Sequence, residues 1–196
     1  MKRGILFFLV VFVTACPSED RRTREVQSSS TAVKQVPTQP SVPYPADEAA
    51  FVETVTSMGQ AHRDSPNELK KSAIRTQRKA ALSLALSGKR QFTGWVGRLV
   101  AMKTTSDGKA HVSIRIAQKI HLKTWNNDLS DIGDKTLIEQ TSPLFASIAE
   151  LKENDIVRID GELLPSKQDF VKETSLTEEG SMNDPEFLVR FSSIRN

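Results

Sequence analysis

The chain has 196 residues, a formal charge of +3, 26% charged residues and 38% hydrophobic residues. This composition suits one folded domain plus a tail, and it excludes both a polytopic membrane protein and a wholly disordered chain. A single cysteine excludes a disulfide framework and any Cys-x-x-Cys metal or redox site.

The chain opens with Met-Lys-Arg-Gly, continues through an unbroken apolar run from Ile5 to Val13, and reaches Thr14-Ala15-Cys16. A basic start, a short apolar core and small residues before a cut site are the parts of a secretory signal, here residues 1–15. The run is too short to cross a hydrocarbon layer of about 30 Å as a helix. Val13-Thr14-Ala15-Cys16 resembles the lipobox of bacterial lipoproteins. That resemblance implies that the Cys16 thiol takes a diacylglyceryl group, that the mature chain begins there, and that acyl chains such as palmitate fix it to the membrane at about 0.8 kcal/mol per buried CH₂. A plain cleaved signal with an incidental or buried cysteine is the alternative. Pro17 stands where an aspartate typically retains such proteins at the inner membrane, so the expected location is the outer membrane, facing the periplasm. Arg21-Arg22 follows the apolar run and is therefore no twin-arginine export signal.

Loss of residues 1–15 removes Lys2 and Arg3 and no acid, which lowers the formal charge from +3 to +1. A nearly neutral chain has no global field for polyanions, which argues against nucleic acid as the main partner. Residues 16–46 carry Pro17, Pro37, Pro40, Pro43 and Pro45 with a Ser28-Ser29-Ser30-Thr31 run. That composition cannot bury enough apolar surface to offset ordering, and it predicts a disordered spacer reaching about 90 Å if polyproline-like and about 30 Å as a coil.

A helical hairpin is expected over 47–88. Phe51, Val55 and Met58, with Val52 alongside, give a first helix one apolar face. A second helix over 65–87 is marked by Ser65 as cap, Pro66 in the first turn, Glu68 completing a capping box and Gly88 at the end. On it Leu69, Ala73, Ala80 and Leu84 share a face, flanked by Ile74, Ala81 and Ala85, while Lys71, Arg75, Arg78 and Lys79 fall on the other side. This basic stripe reads either as a contact for anionic headgroups or as a solvated face, and the solvated face is favoured because Leu82 and Leu86 break into it.

After Gly88 the period changes. Gln91–Thr104 is a long apolar run containing Gly94 and Gly97, as in a strand that bends or coils round a barrel. Ser106-Asp107-Gly108-Lys109 signals a hairpin, and in the next strand Val112, Ile114 and Ile116 point inward, with His111, Ser113 and Arg115 outward. A third strand near Ile120–Trp125, a polar loop from Asn126 to Thr141, and a short helix begun by Ser142-Pro143 follow. Val157, Ile159 and Leu163 then face inward on a fourth strand, and Phe187, Val189 and Phe191 on a last one. Strands and helix in this order predict an α+β protein: an OB-like five-stranded barrel over 90–196, preceded by the two helices. The phrase Leu151-Lys152-Glu153-Asn154-Asp155-Ile156-Val157-Arg158-Ile159-Asp160-Gly161 resembles the helix exit and fourth strand of small periplasmic and tRNA-anticodon-binding-like OB domains. Thr124–Asn127, Ser130–Asp134 and Gly180–Phe187 resemble segments of uncharacterised exported bacterial proteins. These resemblances imply a fold and no activity.

Catalysis has little support. No Gly-x-Ser-x-Gly elbow is present, and His62, His111 and His121 fall on separate elements, where exposed polar positions explain them. Asp128, Asp131 and Asp134 crowd one loop without the alternating ligands and glycine of a calcium loop, so no metal or other cofactor is expected. The candidate ligand-binding residues are Trp125, Asn126, Asn127 and Asp128, an aromatic beside amides at a barrel mouth; Trp125 plugging the barrel end is the competing reading. Trp95, between two glycines, is expected in the core or over helix 65–87. The resulting expectation is a lipid-anchored envelope protein displaying a non-catalytic binding module for a protein or cell-envelope component. Single-stranded nucleic acid or oligosaccharide binding, and hydrolysis at acids such as Asp131 and Asp134, are the alternatives.

Overall fold

The computed structural model describes residues 44–196. The signal segment, Cys16 and the spacer up to residue 43 lie outside the described residues.

Helix α1 spans Ala46–Arg63, with Asp47 and Glu48 in its first turn and His62 and Arg63 in its last, a charge order that favours the helix dipole. Glu48, Phe51, Val55, Gly59 and His62 form its buried face. Gly59 is there because of a close approach, since a Cβ would lie 2.5 Å from the Met182 carbonyl oxygen. Helix α2, Glu68–Ala85, packs on α1. It is capped by Asn67, whose side chain accepts from the Lys70 amide at 3.0 Å, whereas Ser65 instead donates back to the Ala61 carbonyl. The expected Ser65–Glu68 capping box therefore does not form, and Glu68 pairs with Lys71.

The face of α2 is inverted relative to the expectation. Leu69 and Leu84 are 85% and 79% exposed, whereas Arg78 is 1% exposed. Arg78 meets Glu173 at 2.8 Å, donates to Ser181 Oγ at 3.0 Å, and lies over the Phe187 ring. Arg75 meets Glu178 and Asp169, and Lys79 donates to the Lys167 carbonyl. Counter-charges on the 169–178 segment decide which side of the helix faces in, and apolar periodicity within α2 carries no information about them. Arg78 and Arg75 thus form neither a solvated face nor a headgroup contact.

Five strands close into a barrel in the order β1-β2-β3-β5-β4: β1 Gln91–Thr104, β2 Ala110–Ala117, β3 Ile120–Lys123, β4 Ile156–Leu163 and β5 Glu186–Arg195. β3 and β5 run parallel and all other pairs are antiparallel, the OB arrangement. Gly94, at φ +72°, allows the irregularity between Phe92 and Trp95. At Gly97 a Cβ would approach Ile114 Cγ2 to 2.5 Å. The inward residues expected on β2, β4 and β5 are buried as read.

Both barrel ends are covered. Phe51 of α1 packs on Trp95 and Phe187, with ring centroids 5.2 and 4.9 Å away, and Phe92 stacks on Trp95 at 4.4 Å. Trp95 is accordingly core, beneath α1 rather than α2. A short helix, Pro143–Ala149, capped by Ser142, brings Phe145 and Ile148 to Met102 and Ala110 at the other end. Three segments depart from expectation. β3 stops at Lys123. The loop read as polar holds a one-turn helix, Asp128–Asp131, and returns through Ile138, which pairs with Ala110 across the hairpin end. Residues 164–174 fold back over β5, Leu188 receiving from Leu164 and donating to Lys172, before a further helix, Glu178–Asn183.

Since Arg78 is the partner that makes a buried Glu173 tolerable, Arg78→Ala is expected to cost about 3 to 5 kcal/mol. A denaturant midpoint unchanged from wild type would show that the stripe is solvated after all.

Candidate functional site

Trp125 is half-buried, and its indole N–H is already engaged, donating to Asp134 Oδ2 at 2.7 Å. Lys172 meets the same oxygen at 2.5 Å and lies 5.9 Å from the centre of the Trp125 ring, while Arg190 donates to the Asp134 carbonyl. Burial opposes ionisation of Asp134, and the Lys172 and Trp125 bonds outweigh it, holding the carboxyl below its ordinary range. Asn127 caps the one-turn helix by accepting from the Ser130 amide, and donates to Asn126. Asp128 lies 3.9 Å from Lys109. Asp131, 6% exposed, accepts from the Thr136 amide and hydroxyl and from the Leu137 amide. Trp125, Asp131 and Asp134 form a loop brace with Thr136 and Lys172, whereas Asn126 and Asn127 are exposed beside it.

A different constellation lies on the outward face of β1, β2 and β3. Alternation, with the register shift between Leu99 and Ala101 in β1, places Arg98 and Lys103 of β1, His111, Ser113 and Arg115 of β2, and His121 and Lys123 of β3 on that one side. The register sets Arg98 opposite Arg115, Lys103 opposite His111, and Arg115 opposite His121. Like charges directly across a ladder destabilise it, where opposite charges would contribute roughly 0.2–1 kcal/mol. Among the described residues Arg98 donates to the Asn154 carbonyl and Lys123 pairs with Glu186 at 2.9 Å, while Lys103 and Arg115 are exposed and have no carboxylate partner. The two half-buried imidazoles belong here too, with Ser113 Oγ 3.4 Å from His121 Nδ1. Burial lowers the pKa of His111, helped by Lys103 and Lys123. Burial also lowers that of His121, with Asp184 and Glu186 opposing and Arg115 and Lys123 assisting. Sequence reading scattered the three histidines over separate elements. The register joins two of them, and His62 is not exposed but buried 3.4 Å from Glu178.

The second feature is an apolar hollow of about 650 Å³ between α1 and the end of β2, floored by Ala49, Val52, Ile116 and Ala117 and bordered by Glu48 and Glu53. Glu48 is fully buried; one oxygen accepts from the Val96 amide at 2.9 Å and the other has no partner. Burial pushes its pKa from the ordinary 4.5 up to about 7, the Val96 bond opposes that rise, Asp47 adds to it and Arg158 opposes it.

No group of metal-ligating side chains occurs among the described residues, and none of the described helices is long and apolar enough to cross a membrane. No family model, curated protein or solved structure matches this chain.

Because the folded state holds the Glu48 proton more tightly than the unfolded chain, stability is fully present below pH 4.5 and is lost as pH rises through about 7. The loss is up to about 3 kcal/mol from this group. Glu48→Gln should match wild type at the acid end and exceed it above neutrality. Parallel stability–pH curves for the two proteins would remove Glu48 from the account.

Proposed function

We propose that this chain is a lipid-anchored protein of the bacterial envelope, fixed through Cys16, and that its OB-like barrel is a non-catalytic module binding an anionic envelope component on the outward β1–β2–β3 face. The observation that carries this reading is Arg98 set directly opposite Arg115 on a wall that also carries Lys103 and Lys123. A barrel gains nothing from setting Arg98 against Arg115, and an anion lying across the ladder turns that repulsion into attraction, a trade of stability for recognition.

The chemistry of the face narrows the ligand. Its only aromatic groups are the two imidazoles, so stacking of bases, worth about 1–3 kcal/mol each in single-strand binders, has no platform there. Guanidinium and ammonium groups suit phosphate or carboxylate. With both histidine pKa values lowered, the standing charge comes from Arg98, Lys103, Arg115 and Lys123. A hydrolytic reading is weakened because Asp131 accepts from three donors and Asp134 is bound to Lys172 and Trp125. The lipid anchor rests on the lipobox-like Val13–Cys16 stretch alone.

Two measurements test the two halves. Cys16→Ser should abolish membrane fractionation, and persistence of the mutant in membranes after a high-salt wash would sink the anchor. Arg115→Glu combined with Lys103→Glu should remove retention on immobilised polyphosphate while leaving stability equal or raised by up to roughly 1 kcal/mol, since the Arg115→Glu carboxylate meets Arg98 across the ladder. In the wild type, bound polyphosphate should raise the pKa of His111 and His121 in a proton NMR titration. Undiminished retention of the double variant refutes the face.

A further inference from the structure

The inversion of α2 leaves an apolar face toward solvent, carrying Leu69, Ala73, Thr76, Gln77, Ala80 and Leu84. Apart from the central Thr76 and Gln77, its order is the same in both directions. Reversing the helix about the midpoint between Thr76 and Gln77 exchanges Leu69 with Leu84, Ala73 with Ala80, and Thr76 with Gln77. Leucines end the strip and alanines stand on either side of its midpoint, leaving room for a second helix beside the Thr76–Gln77 crossing point. We propose that this face is an isologous interface, on which a second copy of the chain lays its own α2 antiparallel across a twofold axis.

The two-fold operation is the reason a second copy, rather than another partner, fits. An isologous contact requires one patch to complement itself, and this strip pairs each leucine with a leucine and each alanine with an alanine. Charges agree with it. The same reversal sets Glu68 beside Ala85, Lys70 beside Ser83 and Lys79 beside Ile74, so no like charges meet across the axis. Arg75 and Arg78, which would face each other, are held on the inner side by Glu178 and Glu173. The inner ion pairs therefore select which face is presented.

The size of the strip sets the strength. An 18-residue helix is about 27 Å long, and one seam of that length buries less than the roughly 1,200 Å² at which standard interfaces begin. The dimer is weak in dilute solution. It gains where chains are concentrated on a common surface, as lipid anchoring through Cys16 would provide; the twofold contact itself does not depend on that anchor or on the basic face.

Disulfide trapping reads the register directly, in the full chain with Cys16→Ser so that the introduced thiol stands alone. Thr76→Cys lies almost on the axis and should form covalent dimers on mild oxidation. Ala73→Cys and Ala80→Cys should each stay monomeric, because copies of one position stand about 10 Å apart along the seam, beyond the roughly 7 Å limit for a disulfide. Mixing these two proteins should yield the heterodimer. Adding Leu69→Glu to Thr76→Cys should cut trapping at least tenfold without moving the thermal midpoint, since Leu69 is 85% exposed. Failure of Thr76→Cys to cross-link overturns the proposal. So does equal cross-linking at all three positions, which would mean random collision, or release of the wild-type face from anionic vesicles by Leu69→Glu with trapping unchanged, which would assign it to lipid.

Discussion

Everything else in the molecule depends on the insertion of Phe51 into one end of the barrel. Its ring completes the cluster of Phe92, Trp95 and Phe187, three aromatics from the opening strand and the closing strand. Large buried aromatics contribute on the order of 3–5 kcal/mol each when truncation is the measure. Residues 46–63 are for this reason part of the core, and the barrel cannot be considered apart from them. Two further bonds orient the helix: Trp95 donates to Asp47 and the Val96 amide donates to Glu48. With α1 over one end, the Pro143–Ala149 helix at the other and 164–174 over part of β5, the outward side of β1–β2–β3 remains open to solvent.

Helix α2 has no comparable apolar anchor beyond Leu82 and Leu86, and its place is set by charge. Arg78 leaves water completely, which is tolerable only because Glu173, Ser181 and the Phe187 ring surround it. Burial pushes the Glu173 carboxyl up, with Arg78 and Ser181 holding against that rise. A helix seated by such a pair can afford an apolar back, and the exposed Leu69 and Leu84 are the result. One arrangement of inward charge thus creates the outward strip on which self-association is proposed.

The barrel was legible in the sequence because its signals are local and of short period. Val112, Ile114 and Ile116 alternate, Ser106–Lys109 turns, and Ser142-Pro143 starts a helix; each is read from neighbours within a few residues. What was not legible depends on partners more than eighty residues away. Arg78 meets Glu173, and Lys79 meets Lys167, across the length of the barrel in sequence. Trp125 shows the same limit at shorter range. Its neighbours Asn126 and Asn127 suggest a ligand mouth, and only the fold shows that Asp134 already engages the Trp125 indole N–H while Lys172 lies over the ring. The basic face needed the strand register, since neither His111 nor His121 reveals the other until β2 and β3 are aligned.

The proposed face also fits a chain whose overall charge is small. The formal charge is only +3, and would be +1 without Lys2 and Arg3, so no long-range field draws anions from a distance. Four cations gathered on one wall act only within about a Debye length, near 8 Å at physiological salt. A site of that kind discriminates at contact and contributes little to capture, so it suits a ligand already confined nearby. Anchoring at the membrane would supply the confinement, and a spacer of the composition seen before Tyr44 would set the radius searched. Weak self-association and a short-range binding wall then share one physical requirement: each is effective only where the chain and its ligand are held at high local concentration.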